Sequence, residues 1–416
     1  NYSCMNSKIA IISDLHCGRG SIAKDFCIGE TSNSVIPDFF EGFETFATRE
    51  SIGADYLLVS GDITHEADEE EFELAEKRIF DCAKVLGVPE EKVLVIPGNH
   101  DGNWEHENKA TEQGQDKLTV LKRKYKNFRS LSLNITQQSN ATFGNLTEPP
   151  WFSIHDLDPF TVVAINSAAH DSSTADVHHG SVCTETIQVL DSWLKNNQNS
   201  LKHRCVIFFL HHHPVPYPDY PYEDADLSQL NNSAQLMNLA TKYDIGFVVH
   251  GHKHIPQIKL HIDEVMHPVN IICAGSFSSR LDDRWLQGQA NFFHIIDVSL
   301  EDIKLPKGRL ISWARYSGHG WINWQQKKLA GVNHIENFGN SLGFNQLKES
   351  LKSILESLFS SKDHVKWNEV IQKEHSFGYC HSRLIEKVVQ SLEEELGFET
   401  HPINEATSFV FIKVGV

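Results

Sequence analysis

The stretch Val93-Leu94-Val95-Ile96-Pro97-Gly98-Asn99-His100-Asp101 decides how this chain is read. A short apolar run enters a Pro-Gly turn, and the turn presents an amide, an imidazole and a carboxylate one after another. An apolar run of this length bounded by turn residues fits a strand buried on both faces. In open α/β sheets, ligand-binding groups sit where strands end in loops at their carboxyl edge. The design recurs four times along the chain. Ile9 to Ser13 runs into Asp14-Leu15-His16, and Tyr56 to Ser60 into Gly61-Asp62-Ile63-Thr64-His65. Val206 to Leu210 runs into His211-His212-His213-Pro214, and Ile245 to Val249 into His250-Gly251-His252-Lys253-His254. Apolar runs that each end in Asp, Asn or His predict one metal site assembled from loops.

Asp, Asn and His offer hard oxygen and borderline nitrogen donors, and no thiolate joins them. The set suits Mn, Fe, Zn or a similar divalent ion and argues against a Cys-type structural zinc site. So many donors point to two divalent ions, which can clamp both the attacking and the leaving oxygen of a phosphoryl centre. A carboxylate can bridge them, and a water shared between them loses a proton near neutral pH and becomes the nucleophile. The leaving oxygen then needs a proton donor, a role that suits a histidine outside the ligand set.

At 416 residues with 40% apolar composition, the chain is long enough for a sizeable core and more than one domain. No run approaches the length of a membrane helix. The net charge of −18 disfavours general nucleic-acid binding, which rests on Lys and Arg at phosphates. The 8 cysteines are scattered, with no CxxC pair, so a reduced cytoplasmic protein is expected. Asn-x-Ser/Thr triplets such as Asn134-Ile135-Thr136 keep secretion open as the alternative. The opening Asn1-Tyr2-Ser3-Cys4 lacks the apolar core of a signal peptide. A start without Met and an end on an apolar strand both fit a piece of a longer protein.

After Asp62 comes a strong helix signal. Acidic Asp68 to Glu71 suit its N-terminus, Phe72, Ala75, Ile79, Cys82 and Leu86 form one apolar face, and Gly87 and Pro89 end it. Strand, helix and strand at this spacing predict a parallel start to the sheet. Within a polar stretch, Lys122 to Arg129 is basic with interleaved aromatics. It reads either as a phosphate contact or as a solvated helix face whose aromatics point inward. The loop from His170 to Gly180 and the aromatic segment Tyr217 to Tyr222 are candidates to line a pocket or to stack a substrate ring. From 317 the pattern changes to two helical stripes, Leu347-Leu351-Ile354-Leu355-Leu358 and Leu384-Ile385-Val388-Leu392-Leu396, closed by a final strand from Phe409. The expected division is a catalytic domain over 1–316 and a mainly helical appendage over 317–416, which could bind a partner or a further chain.

Taken together, D-x-H at Asp14, G-D at Asp62, G-N-H-D at Asn99, a His loop at His211 and G-H-x-H at His252 resemble the calcineurin-like metallophosphoesterase superfamily. The resemblance covers about residues 8–300 and implies an α/β fold, a four-layer α/β/β/α sandwich with a dimetal site at one edge. It assigns Asp14, His16 and His254 to one metal, Asn99, His212 and His252 to the second, and Asp62 to the bridge. His212 is preferred in the fourth loop because the ligand in relatives lies two residues before Pro, which leaves His211 and His213 behind it or facing substrate. His65 and His250 fall outside the ligand set. His100 would donate the leaving-group proton, with Asp101 orienting it. Two segments, Ser60 to Thr64 followed by an acidic helix and Leu210 to Pro214, look like the class III cyclic-nucleotide phosphodiesterase branch. The reading is therefore a phosphodiesterase acting on a small diester. The alternative is a metal-dependent nuclease of DNA or RNA with Lys122 to Arg129 as its groove, or the effector domain of a larger assembly.

Overall fold

The computed structural model describes residues 6–18, 39–174, 179–217, 228–263, 267–279, 290–316, 320–323, 332–402 and 408–414. Fourteen strands build two sheets: β1 (Asn6–Ile12), β2 (Tyr56–Val59), β3 (Val93–Val95), β4 (Phe143–Asn145), β5 (Phe152–Leu157), β6 (Phe160–Ile165), β7 (Cys205–Phe209), β8 (Phe247–His250), β9 (Gln257–Ile262), β10 (Pro268–Cys273), β11 (Asn291–Ser299), β12 (Lys307–Tyr316), β13 (Gly320–Asn323) and β14 (Ile335–Phe338). The first sheet runs β13-β12-β11-β1-β2-β3, with β14 on β12, and the second runs β4-β5-β6-β7-β8-β10-β9. β1, β2 and β3 pair in parallel, as do β6, β7, β8 and β10.

Side-chain alternation along these strands makes the layers. Ile9, Ile11, Tyr56, Leu58, Leu94 and Ile96 of the first sheet meet Val162, Ala164, Ile207, Phe209, Phe247 and Val249 of the second in one core. The intervening residues face outward. Ala10, Ile12, Leu57, Val59, Val93 and Val95 pack under α1 (Phe39–Arg49) and α2 (Glu69–Leu86). Four short helices follow, α3 (Trp104–Glu112), α4 (Lys117–Lys124), α5 (Lys126–Ser130) and α6 (Ser132–Ser139). On the far side, Val163, Val206, Phe208 and Val248 pack under α7 (Thr184–Leu201) and α8 (Ser233–Lys242). The order of layers is α/β/β/α, as the resemblance implies.

The acidic helix signal is α2. Phe72, Ala75, Ile79, Cys82 and Leu86 are its buried face, and Gly87 caps it at φ 72°, a left-handed turn that glycine adopts without penalty. The basic stretch Lys122 to Arg129 spans α4 and α5. Tyr125 and Phe128 point into the core, and Lys122 and Arg129 are ion-paired with Glu148 at 3.2 and 3.5 Å. It is a helix face with inward aromatics and not a free cationic groove.

Beyond the sandwich, α9 (Phe344–Phe359), α10 (Trp367–Lys373) and α11 (Ser382–Leu396) pack on a small sheet of β15 (His364–Lys366), β17 (Phe409–Lys413) and β16 (Phe398–Pro402) in the order β15-β17-β16. Leu347, Leu351, Leu355, Val388, Leu392 and Phe411 form its separate core. The expected boundary at 316/317 falls inside the first sheet, because β13 and β14 both pair with β12. The second core begins with Leu342 and Leu347. Glu336 on β14 accepts hydrogen bonds from the backbone N–H and hydroxyl of Ser382, tying the two units together.

Candidate metal centre

The loops after β1, β2, β3, β7 and β8 leave the carboxyl ends of parallel strands. Backbone pairing continues past the strand ends and sets their register. Asp14 donates its N–H to Gly61 O at 3.0 Å, His16 to Asp62 O at 2.9 Å, and Gly251 to His211 O at 3.1 Å. Glycines allow the close approach. A side chain at Gly98 would overlap the Asp62 carboxylate, one at Gly61 the His211 ring, and one at Gly251 the Ser13 hydroxyl. Asp14, His16, Asp62, His252 and His254 all sit at positive φ, between 49° and 71°. Left-handed backbone outside glycine costs energy and persists where surrounding structure enforces it, a pattern concentrated at functional sites.

Asp14, His16 and His254 form one group of donor atoms, and Asp62, His211 and His252 another, each with ligand atoms within 4.8 Å of one another. Asp62 lies between them, its Oδ2 3.7 Å from His16 Nε2 and 3.2 Å from His211 Nε2. The other oxygen, Oδ1, accepts the His100 backbone N–H at 2.9 Å. His254 Nε2 is 3.2 Å from Asp14 Oδ1, and the His252 backbone N–H donates to Asp14 Oδ2 at 3.1 Å.

Several of these atoms are buried without a hydrogen-bond partner, namely Asp14 Oδ1, both nitrogens of His16, Asn99 Oδ1 and His254 Nδ1. Buried polar atoms are normally satisfied, so this cluster of orphans fits cations as the missing partners. Burial alone would raise the Asp62 carboxyl and lower the His211 imidazole. Their mutual attraction overrides it, holding Asp62 well below the usual carboxylate range and pushing His211 up to about 9. Burial lowers His16 to about 3, so its imidazole is neutral and its lone pair free.

In the fourth loop the geometry differs from expectation. His211, not His212, joins Asp62 and His252. His211 Nδ1–H donates to Ser60 O at 2.7 Å, leaving Nε2 toward Asp62 and 3.3 Å from His252 Nδ1. A ligating histidine is commonly oriented by such a bond from its other nitrogen. His212 is turned onto Ser167. The Ser167 hydroxyl oxygen accepts the backbone N–H groups of His211 and His212 at 3.3 and 3.1 Å, and the hydroxyl is also hydrogen-bonded to His212 Nδ1 at 2.9 Å. His212 Nε2 is buried without a hydrogen-bond partner, and His212 is absent from the group formed by Asp62, His211 and His252.

Asp101 also departs from expectation. Its buried carboxylate accepts N–H bonds from Ile63 at 3.1 Å and from Thr64 and Gly98 at 2.8 Å, together with the Thr64 hydroxyl at 2.8 Å. Burial and the nearby Asp62 charge raise it to about 6 against those bonds. Asp101 locks the second loop to the third. The His100 ring is oriented by another group, the His65 carbonyl, which accepts its Nδ1–H at 2.9 Å. The His65 ring stacks on His100 with centroids 5.4 Å apart, and one nitrogen each of His16, His65 and His100 lie within 4.8 Å. The sequence places His65 outside the ligand set and gives it no role; its position directly after Gly61-Asp62-Ile63-Thr64 is the signal that it lies beside the site. His250 does stay outside, its Nδ1–H on Gly251 O at 3.0 Å and its Nε2 accepting the Tyr217 hydroxyl at 2.7 Å. Tyr217 is thus buried against the fifth loop. Residues 218–222 of the aromatic segment and 175–178 of the His170 loop lie outside the described residues.

The reduced state expected of the cysteines does not hold at Cys17, which is disulfide-bonded. Among the described residues, no helix is long and apolar enough to cross a membrane.

The model of the family described as calcineurin-like phosphoesterase matches residues 7–256. A probable cyclic nucleotide phosphodiesterase of Xenorhabdus bovienii is 21% identical over 254 residues, 61% of this chain and 81% of that protein. Among solved structures, NAD nucleotidase of Haemophilus influenzae aligns with TM-score 0.37 and 14% identity, over 96% of this chain and 62% of its own. Phosphopantetheinyl hydrolase of Mycobacterium tuberculosis aligns with TM-score 0.33 and 14% identity, over 71% of this chain and 96% of its own.

Proposed function

The chain belongs to the calcineurin-like phosphoesterase family, and on that premise we propose that it is a dimetal phosphodiesterase acting on a small diester such as a cyclic nucleotide. The carrying observation is the Asp62 carboxylate, placed between two groups of His and Asp, with both nitrogens of His16, Asn99 Oδ1 and His254 Nδ1 buried beside it without a hydrogen-bond partner. Asp14, His16 and His254 would hold one divalent cation and Asn99, His211 and His252 the other, with Asp62 shared. The donor set suits Mn, Fe or Zn. Cations bound there polarise the phosphoryl oxygens and lower the pKa of water to supply the nucleophile. The residues around them do the rest. The His65 carbonyl fixes the His100 ring, leaving Nε2 to hold a proton and deliver it to the leaving oxygen. Asp101 keeps the loops that carry Asp62 and Asn99 in register.

Two features support a small diester over a nucleic acid. The relative in Xenorhabdus bovienii carries the name of a cyclic nucleotide phosphodiesterase. A groove of about 1,010 Å³ is lined by Glu66, Asp68, Glu69, Glu70, Glu73 and Glu105 against two lysines, Lys77 and Lys126, and the excess of acidic groups disfavours a polyanion. The Cys17 disulfide supports an oxidising compartment over the cytoplasm.

The test is a product survey with Mn²⁺-loaded protein. It covers 2′,3′- and 3′,5′-cyclic nucleotides, a chromogenic diester with its matching monoester, and circular single-stranded DNA. Turnover of the diesters with DNA left whole is expected. Cleavage of the DNA circle, or of the monoester alone, would overturn the substrate assignment.

A further inference from the structure

Lys124 is fully buried at the end of α4, in the basic stretch that the proposed chemistry does not use. Burying an ammonium is costly and is weak evidence for stability on its own, so its contacts must explain its presence. Its Nζ donates to the carbonyls of Ala168 at 3.0 Å and Asp171 at 2.7 Å, and it lies 4.9 Å from the centre of the Trp104 ring. The Tyr125 hydroxyl donates to the same Ala168 carbonyl at 2.8 Å. These bonds pin the turn after β6. The residue before Ala168 is Ser167, whose hydroxyl oxygen accepts the backbone N–H groups of both His211 and His212. At its other end Lys124 touches the third loop. Its carbonyl accepts the Asn103 N–H at 3.0 Å, and its methylenes lie so close to Gly102 that any side chain there would collide with them.

We propose that Lys124 is a positioning residue for the metal centre. It clamps the Ser167–Asp171 turn against the loop carrying Asn99 and, through Ser167, fixes the backbone from which His211 reaches Asp62. The proposal rests on the reading of Asn99 and His211 as ligands of one cation. Two donors of one site come from loops of different sheets; Lys124 is hydrogen-bonded to Asn103, four residues after Asn99, and to Ala168, next to the Ser167 that accepts the His211 N–H.

The experiment is a Mn²⁺ binding isotherm, followed by electron paramagnetic resonance without substrate, on wild type, Lys124→Met, Ser167→Ala and the double variant. Thermal melts check the fold. Each single variant should weaken one of the two binding steps about 10- to 100-fold, the range for losing support behind a ligand. The other step should move little. The double variant should be no worse than the weaker single, because both act through one path. Should Lys124→Met fail to fold, Tyr125→Phe removes the second bond to Ala168, with the longer 3.5 Å contact to Asn166 Oδ1, and should weaken the same step about two- to fivefold. Unchanged isotherms with a lowered melting temperature would overturn the proposal and make Lys124 structural. So would additive losses in the double variant. A wild type that binds two Mn²⁺ yet cleaves no ester refutes the phosphodiesterase reading and leaves the clamp standing. A wild type that binds none refutes both.

Discussion

Replacing His211 by Ala should empty one metal position, whereas replacing its neighbour His212 should not. His211 Nε2 is one of the three atoms grouped around the second position, with Asp62 and His252, and Asn99 Oδ1 waits unpartnered in the adjoining loop. Loss of an outer partner behind a ligand costs about 10- to 100-fold in affinity, and loss of the ligand itself should exceed that. At least about 100-fold is expected, or about 2.7 kcal/mol. His212 is held by its bond with Ser167, and a neutral hydrogen bond contributes about 0.5–1.5 kcal/mol. His212→Ala should therefore weaken metal by no more than about tenfold on that scale. The assay is metal content after gel filtration in Mn²⁺-free buffer, with circular dichroism to confirm the fold. Wild type and His212→Ala should keep two equivalents and His211→Ala one. The reverse pattern, with His212→Ala losing the ion and His211→Ala keeping it, would refute the assignment of the fourth loop.

Four further outcomes follow from the geometry. A side chain at Gly98 would overlap the Asp62 carboxylate, so Gly98→Ala should lower turnover about 100-fold, as expected for misplacement of about 1 Å. Gly87→Ala, in open space at φ 72°, should cost only about 1 kcal/mol in a denaturant melt and leave kcat alone. Metal affinity should rise with pH. Burial lowers His211, but Asp62 pushes it up to about 9, so below that pH a cation must displace its proton, and affinity should climb about tenfold per unit from 7 toward 9 and then flatten. In the metal-free chain the sign is opposite: a folded value raised from 6.5 to about 9 gives a stability contribution that is full below 6.5 and lost as pH rises through 9. Isotherms and melts across that range check both. Because Lys122 and Arg129 already pair with Glu148 at a partly exposed site, changing both to Ala should shift stability by about 0.5 kcal/mol or less and leave retention on single-stranded DNA unaltered.

Much of the sandwich was legible because its strands are short apolar runs that end in chemical residues, and its first long helix because Phe72, Ala75 and Ile79 repeat at helical spacing. Each is a local pattern. The site was legible as a set of loops for the same reason. What the sequence hid depends on direction within a loop. Which of His211, His212 and His213 turns inward follows from where the strand releases the chain and from Ser167, which lies 44 residues upstream of His211. Asp101 looked like a partner for the adjacent His100 ring, yet three backbone N–H groups claim it, two from the second loop and one from its own turn. His65 entered the site through its carbonyl, a group that every residue carries and no motif records. β13 and β14 were missed because strands of four residues beside a change in pattern carry little periodicity, and their place is set by pairing with β12.

The most direct test puts wild type, Asp62→Asn and His100→Ala side by side, with metal content and hydrolysis of a chromogenic diester measured on the same samples. Asp62→Asn should lose both metal and turnover, because its carboxylate stands between the two groups. His100→Ala should keep its metal and lose turnover. Full activity in either variant would contradict a two-metal phosphodiesterase at this site.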